Sequence, residues 1–289
     1  MKNEIQKGAL YLVSTPIGNL LDITDRAKHI LSGVDFIAAE DTRVTMKLLS
    51  YLNIKKPLVS YFEHNIRERG EEICGRLKRG ESAALVTDAG TPAISDPGED
   101  IVRLCADENI PVYSVPGACA AISALTLSGL FTGRFAFEGF LSYRKSEGRK
   151  RLSEIKDDRR TLIFYEAPHK LVNTLNLLYE YFGNRKISIV KEITKINETV
   201  IRTTLSEAVE LYDDDEKKPK GEFVLVVEGA AEKKENFFEG MNTIEHFEHY
   251  LECGMTEKEA IKEVAKDRNE PKNKIYIEVK NYLKEKTEI

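Results

Sequence analysis

Apolar positions along the chain come as short runs broken by dense turn signals. Runs at residues 9–13, 34–39, 57–60, 84–86 and 111–115 read as buried strands. The stretches between them carry helical spacing, over about residues 24–31, 65–79 and 118–127, and at Ile101, Leu104 and Cys105. Strand and helix in alternation predict an α/β fold with a parallel sheet covered on both faces. The loop at 128–133, with a glycine near each end, reads as a domain boundary, which makes 1–128 an N-terminal α/β domain.

Beyond that loop the rhythm resumes. Strands are expected at 135–138, 161–165, 187–190 and 223–227, and a helix over about 170–181 has Leu171, Leu175 and Leu178 on one face. Residues 199–204 are rich in β-branched side chains and read as an antiparallel strand. These make 129–230 a second α/β domain. From 231 to 289 the chain is rich in Lys and Glu with apolar positions at helical spacing, and Thr256 with Glu259 forms a capping box. Pro271 opens a helix carrying Ile275, Val279 and Tyr282. Three short helices there fit a helix-turn-helix or a plain helical appendage, and the second reading is preferred.

Composition narrows the class. The 289 residues are 42% hydrophobic and 31% charged, which describes a globular protein with a real core. No apolar run reaches the roughly 18 residues of a membrane span, and residues 1–8 lack the apolar centre of a signal peptide. A cytoplasmic protein is expected. The four cysteines are far apart and form no CxxC, so neither zinc nor a disulfide framework is expected. A net charge of −5 argues against a protein that coats nucleic acid non-specifically and leaves room for a local basic site.

The candidate chemistry centres on residues 83–98. A strand ending at Val86 runs into two glycines and two prolines with Asp88, Thr91, Ser95 and Asp96 between and around them, and then into a helix. Ligands of open α/β sheets sit at such strand ends, and Gly90 lets backbone approach a ligand without a Cβ between them. An ordinary βα loop is an equal reading on these residues alone. No GxGxxG follows the first strand, so a dinucleotide fingerprint is absent.

An ordered set of blocks carries a resemblance. It comprises Thr15-Pro16-Ile17-Gly18-Asn19-Leu20 with Asp22-Ile23-Thr24, then Glu40-Asp41-Thr42-Arg43, then Asp88-Ala89-Gly90-Thr91-Pro92 with Asp96-Pro97-Gly98. Glu138-Gly139-Phe140, Phe164-Tyr165-Glu166, Lys191-Glu192-Ile193-Thr194-Lys195 and Lys220-Gly221-Glu222 follow in order. Over about residues 8–229 the chain resembles the ribosomal small-subunit methyltransferase I family of the tetrapyrrole-methylase-like superfamily. The resemblance implies two α/β domains with S-adenosylmethionine in the cleft between them. It also implies methyl transfer to the 2′-hydroxyl of a cytidine in the decoding centre of 16S ribosomal RNA, as free RNA or an assembled 30S subunit. A homodimer is implied as well.

Carried over by motif, the cofactor would meet Pro16, Gly90, Thr91, Pro92, Ala93, Ile94, Cys119 and Ala120 from the first domain. From the second it would meet Tyr165, Glu166, Ala167, Gly221, Glu222 and Phe223. Cys119 and Ala120 read equally as packing residues, Tyr165 as core and Pro16 as a turn stiffener. Sulfonium chemistry leaves the enzyme to align the acceptor oxygen and help remove its proton. Among Asp22, Glu40, Asp41, Arg43, Glu166, Lys191, Glu192 and Lys195, Lys191 is the chosen catalytic group, with Glu192 or Glu166 as rival. Adjacent strand residues point to opposite faces, so only one of Lys191 and Glu192 faces the cleft unless the strand has ended. No metal is expected, since no cluster has ligand spacing.

The run 143–151 holds five basic residues and one acidic one. Arg144, Lys145, Arg149, Lys150 and Arg151 are the candidate phosphate contacts, against the plain reading of a solvated face. A precorrin-type tetrapyrrole methyltransferase and a non-catalytic ribosome-binding module stay open as alternatives. The basic run argues against the first, and the intact Gly90 loop with Lys191 and Glu192 against the second.

Overall fold

The five apolar runs of the first half form strands β1 (Leu10–Val13), β2 (Phe36–Ala39), β3 (Leu58–Ser60), β4 (Ala83–Val86) and β5 (Val112–Val115). They pair in one parallel sheet in the order β3-β2-β4-β1-β5. The computed structural model describes residues 4–142, 144–213, 219–232 and 237–287, apart from the side chains of 145, 285 and 287. Helices α1 (Asp25–Gly33), α2 (Thr42–Tyr51), α3 (Ile66–Lys78) and α4 (Gly98–Asp107) follow β1 to β4 in turn. Side chains alternate across each strand, so each face gets its own core. Tyr11, Val13, Ile37, Ala39, Ala84 and Val86 pack with Ala27, Ile30 and Leu31 of α1 and Leu49 of α2. Leu10, Phe36, Ala38, Ala83 and Leu85 pack with Ile73, Cys74 and Leu77 of α3 and Ile101 and Cys105 of α4.

Helix α2 is not among the predicted elements, because residues 40–43 look like a bare polar strand exit. The Asp41 carboxylate accepts the Arg43 N–H at 2.8 Å and caps the helix. Thr45 and Leu49, four apart, turn its buried face inward.

The second sheet is built from β6 (Phe135–Phe140), β7 (Thr161–Glu166), β8 (Lys186–Lys191), β9 (Thr199–Thr204) and β10 (Phe223–Val227), in the order β6-β7-β10-β8-β9. Only β6 and β7 pair in parallel. The resumed rhythm suggests more parallel pairing than is found, since β10 slots between β7 and β8 antiparallel to both. A strand buried throughout reads the same in either direction, so the sequence carries no sign of this. Helices α6 (Lys145–Ile155), α7 (Leu171–Phe182) and α8 (Leu205–Tyr212) cover one face, where Leu152, Leu171, Leu175, Leu178 and Leu205 meet Leu162, Phe164, Ile189 and Leu225. The other face is covered by α5 (Ala120–Ser128), the helix that leaves β5 of the first sheet. Its Ala121, Ala124 and Leu125 pack on Ile163, Val190, Val224 and Val226. Both sheets lie in one unit, Met1–Ala230.

The unit Ala231–Ile289 holds α9 (Thr243–Glu252), α10 (Glu257–Asp267) and α11 (Lys272–Thr287) around Phe247, Ile261, Val264, Ile275 and Val279. Asn242 with Glu245, and Thr256 with Glu259, form capping boxes that start α9 and α10. No described helix is long and apolar enough to cross a membrane.

Candidate functional site

A cavity of about 390 Å³ opens where strands of the first sheet end. Its near wall is Ile17 after β1, Glu40 after β2, the segment from Thr87 to Thr91 with Ile94, Ser95 and Asp96 after β4, and Cys119 and Ala120 at the start of α5. Its far wall is Phe140 at the end of β6, Tyr165 to Pro168 at the end of β7, and Glu222 to Val224 at the start of β10. The volume and the mixture of apolar walls with a few polar groups suit a small organic ligand.

The loop after β4 is held in a specific shape. Gly90 sits at φ +87°, and its N–H and C=O bond back to the Thr15 C=O and N–H at 3.1 and 2.9 Å. A Cβ there would meet Ile17 Cγ2 at 3.3 Å and the Ala118 carbonyl at 3.7 Å. A side chain at this position would be strained by its φ and would crowd Ile17. The Thr91 hydroxyl donates to the Ala118 carbonyl at 3.0 Å, so the Ser14 hydroxyl, also at 3.0 Å, donates to Thr91. Farther along, Ala93 and Ser95 stand at φ +68° and +62°. Asp96 holds them there. Its Oδ1 accepts the N–H of Ala93 at 2.9 Å and of Gly98 at 2.8 Å, and its Oδ2 that of Ile94 at 3.2 Å.

On the far wall the Tyr165 ring meets Phe137 and Phe140 edge-on, with centroids 4.8 and 5.5 Å away. Its hydroxyl accepts the Ala121 N–H at 3.1 Å, and burial pushes the phenol up to about 12. The buried Glu166 carboxylate is occupied at both oxygens, by the Ala167 N–H at 2.8 Å and the Thr174 hydroxyl at 2.5 Å. It fixes the turn that presents Ala167 and Pro168.

Charge gathers at the ends of β2 and β4. Glu40 Oε2 accepts the Thr87 hydroxyl at 2.6 Å, and Asp88 Oδ1 accepts the Asp41 N–H at 3.1 Å. Arg43 forks onto Asp41 at 3.0 and 2.7 Å and holds that carboxyl down to about 2. Partial burial and the neighbouring Glu40 push Asp88 above the usual carboxylate range.

The structure brings Gly90, Thr91, Ile94, Cys119, Ala120, Tyr165, Glu166, Ala167, Glu222 and Phe223 to one cavity. It leaves Pro16, Pro92, Ala93 and Gly221 out of the lining. Pro16 faces a separate groove beside α2, and Ala93 serves the frame of its loop. Lys191 and Glu192 line a different recess, with Thr199, Lys220 and Gly221. Strand β8 ends at Lys191 and the chain turns at Glu192, whose φ is +53°. Glu192 Oε1 then accepts from Lys195 Nζ and the Glu222 N–H, each at 2.9 Å, so this carboxylate braces the loop before β10. Lys191 Nζ stands 6.0 Å from the Phe223 ring centroid. Cavity residues outside the predicted cofactor set include Ile17, Thr87, Asp88, Ser95, Asp96 and Phe140. Asp88 to Asp96 share the loop already singled out, and Phe140 closes the Glu138-Gly139-Phe140 block, for which the resemblance implies no cofactor contact.

Most of the basic run at 144–151 is paired. Arg144 binds Glu147 at 2.9 Å and Arg149 binds Glu180 at 3.0 Å. Arg151 binds Glu138 at 2.8 Å and Glu154 at 3.4 Å. Lys150 is exposed and has no ion pair among the described residues, and the Lys145 side chain lies outside them. Also among the described residues, no group of three His, Cys, Asp or Glu is placed to hold a metal ion.

Residues 9–209 match the family model for tetrapyrrole (corrin/porphyrin) methylases. The chain is 50% identical over 273 residues to the ribosomal RNA small subunit methyltransferase I of Halalkalibacterium halodurans, covering 93% of this chain and 94% of that one. It is 48% identical over 273 residues to the Bacillus subtilis protein of the same name, covering 93% of each. Uroporphyrin-III C-methyltransferase of Thermus thermophilus, solved with S-adenyl homocysteine, shares the fold at a TM-score of 0.54 and 19% identity, over 75% of this chain and 96% of that one.

Proposed function

This chain belongs to the ribosomal RNA small subunit methyltransferase I family within the tetrapyrrole methylases, and from that premise we propose that it methylates the 2′-hydroxyl of a cytidine in the decoding centre of 16S ribosomal RNA. Proteins of this family use S-adenosylmethionine, which when bound supplies a methyl group activated on a sulfonium sulfur. The observation that carries the reading is the loop after β4, where Gly90 stands at positive φ and without a side chain on the wall of a cavity of ligand size. Gly90, Thr91 and Ile94 would hold the cofactor from one side, and Tyr165, Ala167 and Phe223 from the other. The protein's own task is then to align the acceptor oxygen and take its proton. Lys191 and Glu192 line another recess, and both Glu166 oxygens are engaged, so the proton acceptor is better sought in the cavity itself.

The reading is of a cytoplasmic enzyme acting on the 30S subunit or its RNA. Supplied with radiolabelled S-adenosylmethionine, the protein should label 30S subunits lacking the modification, and nuclease digestion should return 2′-O-methylcytidine. Label on a precorrin-type ring instead, or on neither substrate, would refute it.

Two further results are expected. Arg144, Arg149 and Lys150 are exposed around one helix start, and the ion pairs of the two arginines with surface carboxylates are weak enough to exchange for phosphates. Replacing all three with Ala should weaken RNA binding and flatten its salt dependence, by roughly 0.7–0.9 in log–log slope per lost contact. Cofactor affinity should stay unchanged. An unaltered salt slope would make the run a solvated surface. The protein should also be a homodimer, the commonest symmetric assembly, and light scattering at micromolar concentration would show a monomer if it is not.

A further inference from the structure

A second opening adjoins the cofactor cavity. It is a groove of about 220 Å³ between the exit of β1 and helix α2, walled by Pro16, Leu20, Val44 and Leu48, with Lys47 at its rim. Its floor includes Thr87 and Asp88, and the same two residues line the cofactor cavity. The two openings are therefore neighbours across one short piece of backbone at the end of β4. Leu20 and Val44 are 43% and 38% exposed, so apolar side chains flank a recess open to solvent. Lys47 is exposed and has no ion pair among the described residues.

We propose that this groove seats the acceptor nucleoside, with the base between the Leu20 and Val44 side chains, a flanking phosphate at Lys47, and the ribose 2′-hydroxyl facing Asp88. The proposal rests on the methyltransferase reading and adds the place and the proton acceptor. Three observations support one occupant. The aliphatic walls at Leu20, Val44 and Leu48 offer apolar surface to the flat faces of a base. A phosphate suits the free ammonium at the rim. Asp88 lines both openings, so a hydroxyl seated against it from the groove would also face the cofactor cavity. In the reaction the acceptor oxygen forms a bond to the methyl carbon, and the carbon–sulfur bond breaks with its electron pair returning to sulfur. The hydroxyl proton passes to the Asp88 carboxylate. Asp88 Oδ1 is engaged by the Asp41 N–H, which orients the group and leaves Oδ2 for the hydroxyl. Glu40 and Asp41 are the acidic neighbours and Arg43 the basic one, and the net effect holds Asp88 more basic than an ordinary aspartate.

Two variants test this. Val44→Trp fills the groove from an exposed helix position, and Asp88→Asn removes the proton acceptor while keeping its shape. Three quantities are measured on each. They are S-adenosylhomocysteine affinity by calorimetry, 30S binding by sedimentation with that product bound, and steady-state methylation across pH. Val44→Trp should keep product affinity within about twofold, weaken 30S binding and lower kcat/KM at least tenfold. Asp88→Asn should keep both affinities, lower kcat by about 10²-fold or more, and lose the wild-type fall in rate on the acid side. Calorimetric binding certifies that each variant is folded, and Val44→Ala is the control if Val44→Trp is not. Relieving the walls at Val44→Ala should then raise KM for 30S with kcat unchanged. Wild-type rates in Val44→Trp place the acceptor elsewhere, and an unchanged acid limb in Asp88→Asn removes Asp88 from the proton step. If the wild-type protein transfers no methyl to 30S, the methyltransferase reading fails and takes the groove with it, an outcome distinct from active wild type with indifferent variants.

Discussion

Gly90→Val is expected to abolish measurable S-adenosylmethionine binding while the protein stays folded. Gly90 stands at φ +87°, a region that costs an L-residue about 1–2 kcal/mol and a β-branched one more. The added side chain is also crowded, because its Cβ alone would sit 3.3 Å from Ile17 Cγ2. The loop can relieve this only by breaking the paired hydrogen bonds to Thr15 or by tilting the new methyls into the cavity. Either response costs a few kcal/mol at the site, and each 1.4 kcal/mol is a tenfold loss of affinity. A drop of at least about 100-fold is expected by calorimetry, with circular dichroism and melting showing a folded chain. Wild-type affinity in a folded variant would take the loop out of the cofactor site.

Asp96→Ala should have the next largest effect on the same measurement. Asp96 is not the strand-end acid that first draws attention, yet its carboxylate takes three backbone N–H groups. Hydrogen bonds to a charged acceptor contribute about 1.5–3 kcal/mol each. They offset the strain of two non-glycine residues in the left-handed region, about 1–3 kcal/mol apiece. Without them Ala93 and Ser95 relax, and Ile94 and Ser95 leave the cavity wall. Affinity should fall at least about 30-fold. Asp96→Asn keeps an oxygen for the Ala93 and Gly98 donors and should fall between the two. If Asp96→Ala binds as wild type does, the loop is shaped by Gly90 and Thr91 alone.

These two residues also mark what could be read from the sequence. The density of Gly, Pro and Asp after the apolar run ending at Val86 announced a tight loop, and that loop lines the cavity. The parallel sheet was equally legible, since its strands are apolar runs with helical spacing between. Side-chain direction was not. Lys191 and Glu192 belong to one of the blocks that carry the family resemblance, but the chain turns at Glu192 and spends that carboxylate on Lys195 and the Glu222 backbone. Spacing along a chain says nothing about a left-handed turn at its end. Strand order in the second sheet was hidden for another reason. β10 is apolar at every position, which fits a central strand in either direction. Asp88 and Phe140 meet in the cavity only through tertiary packing of distant segments.

Helix α5 belongs to the first half by chain order and to the second sheet by packing, through Ala121, Ala124 and Leu125. Its first residue, Ala120, lines the cavity, and the Ala121 N–H is donated to the Tyr165 hydroxyl beside it. The seam between the two sheets is thus crossed by a shared component rather than by a tether. A gene fragment ending at residue 128 would carry an oily helix with nothing to cover it, and one starting at 129 would lack a lid for Ile163 and Val224.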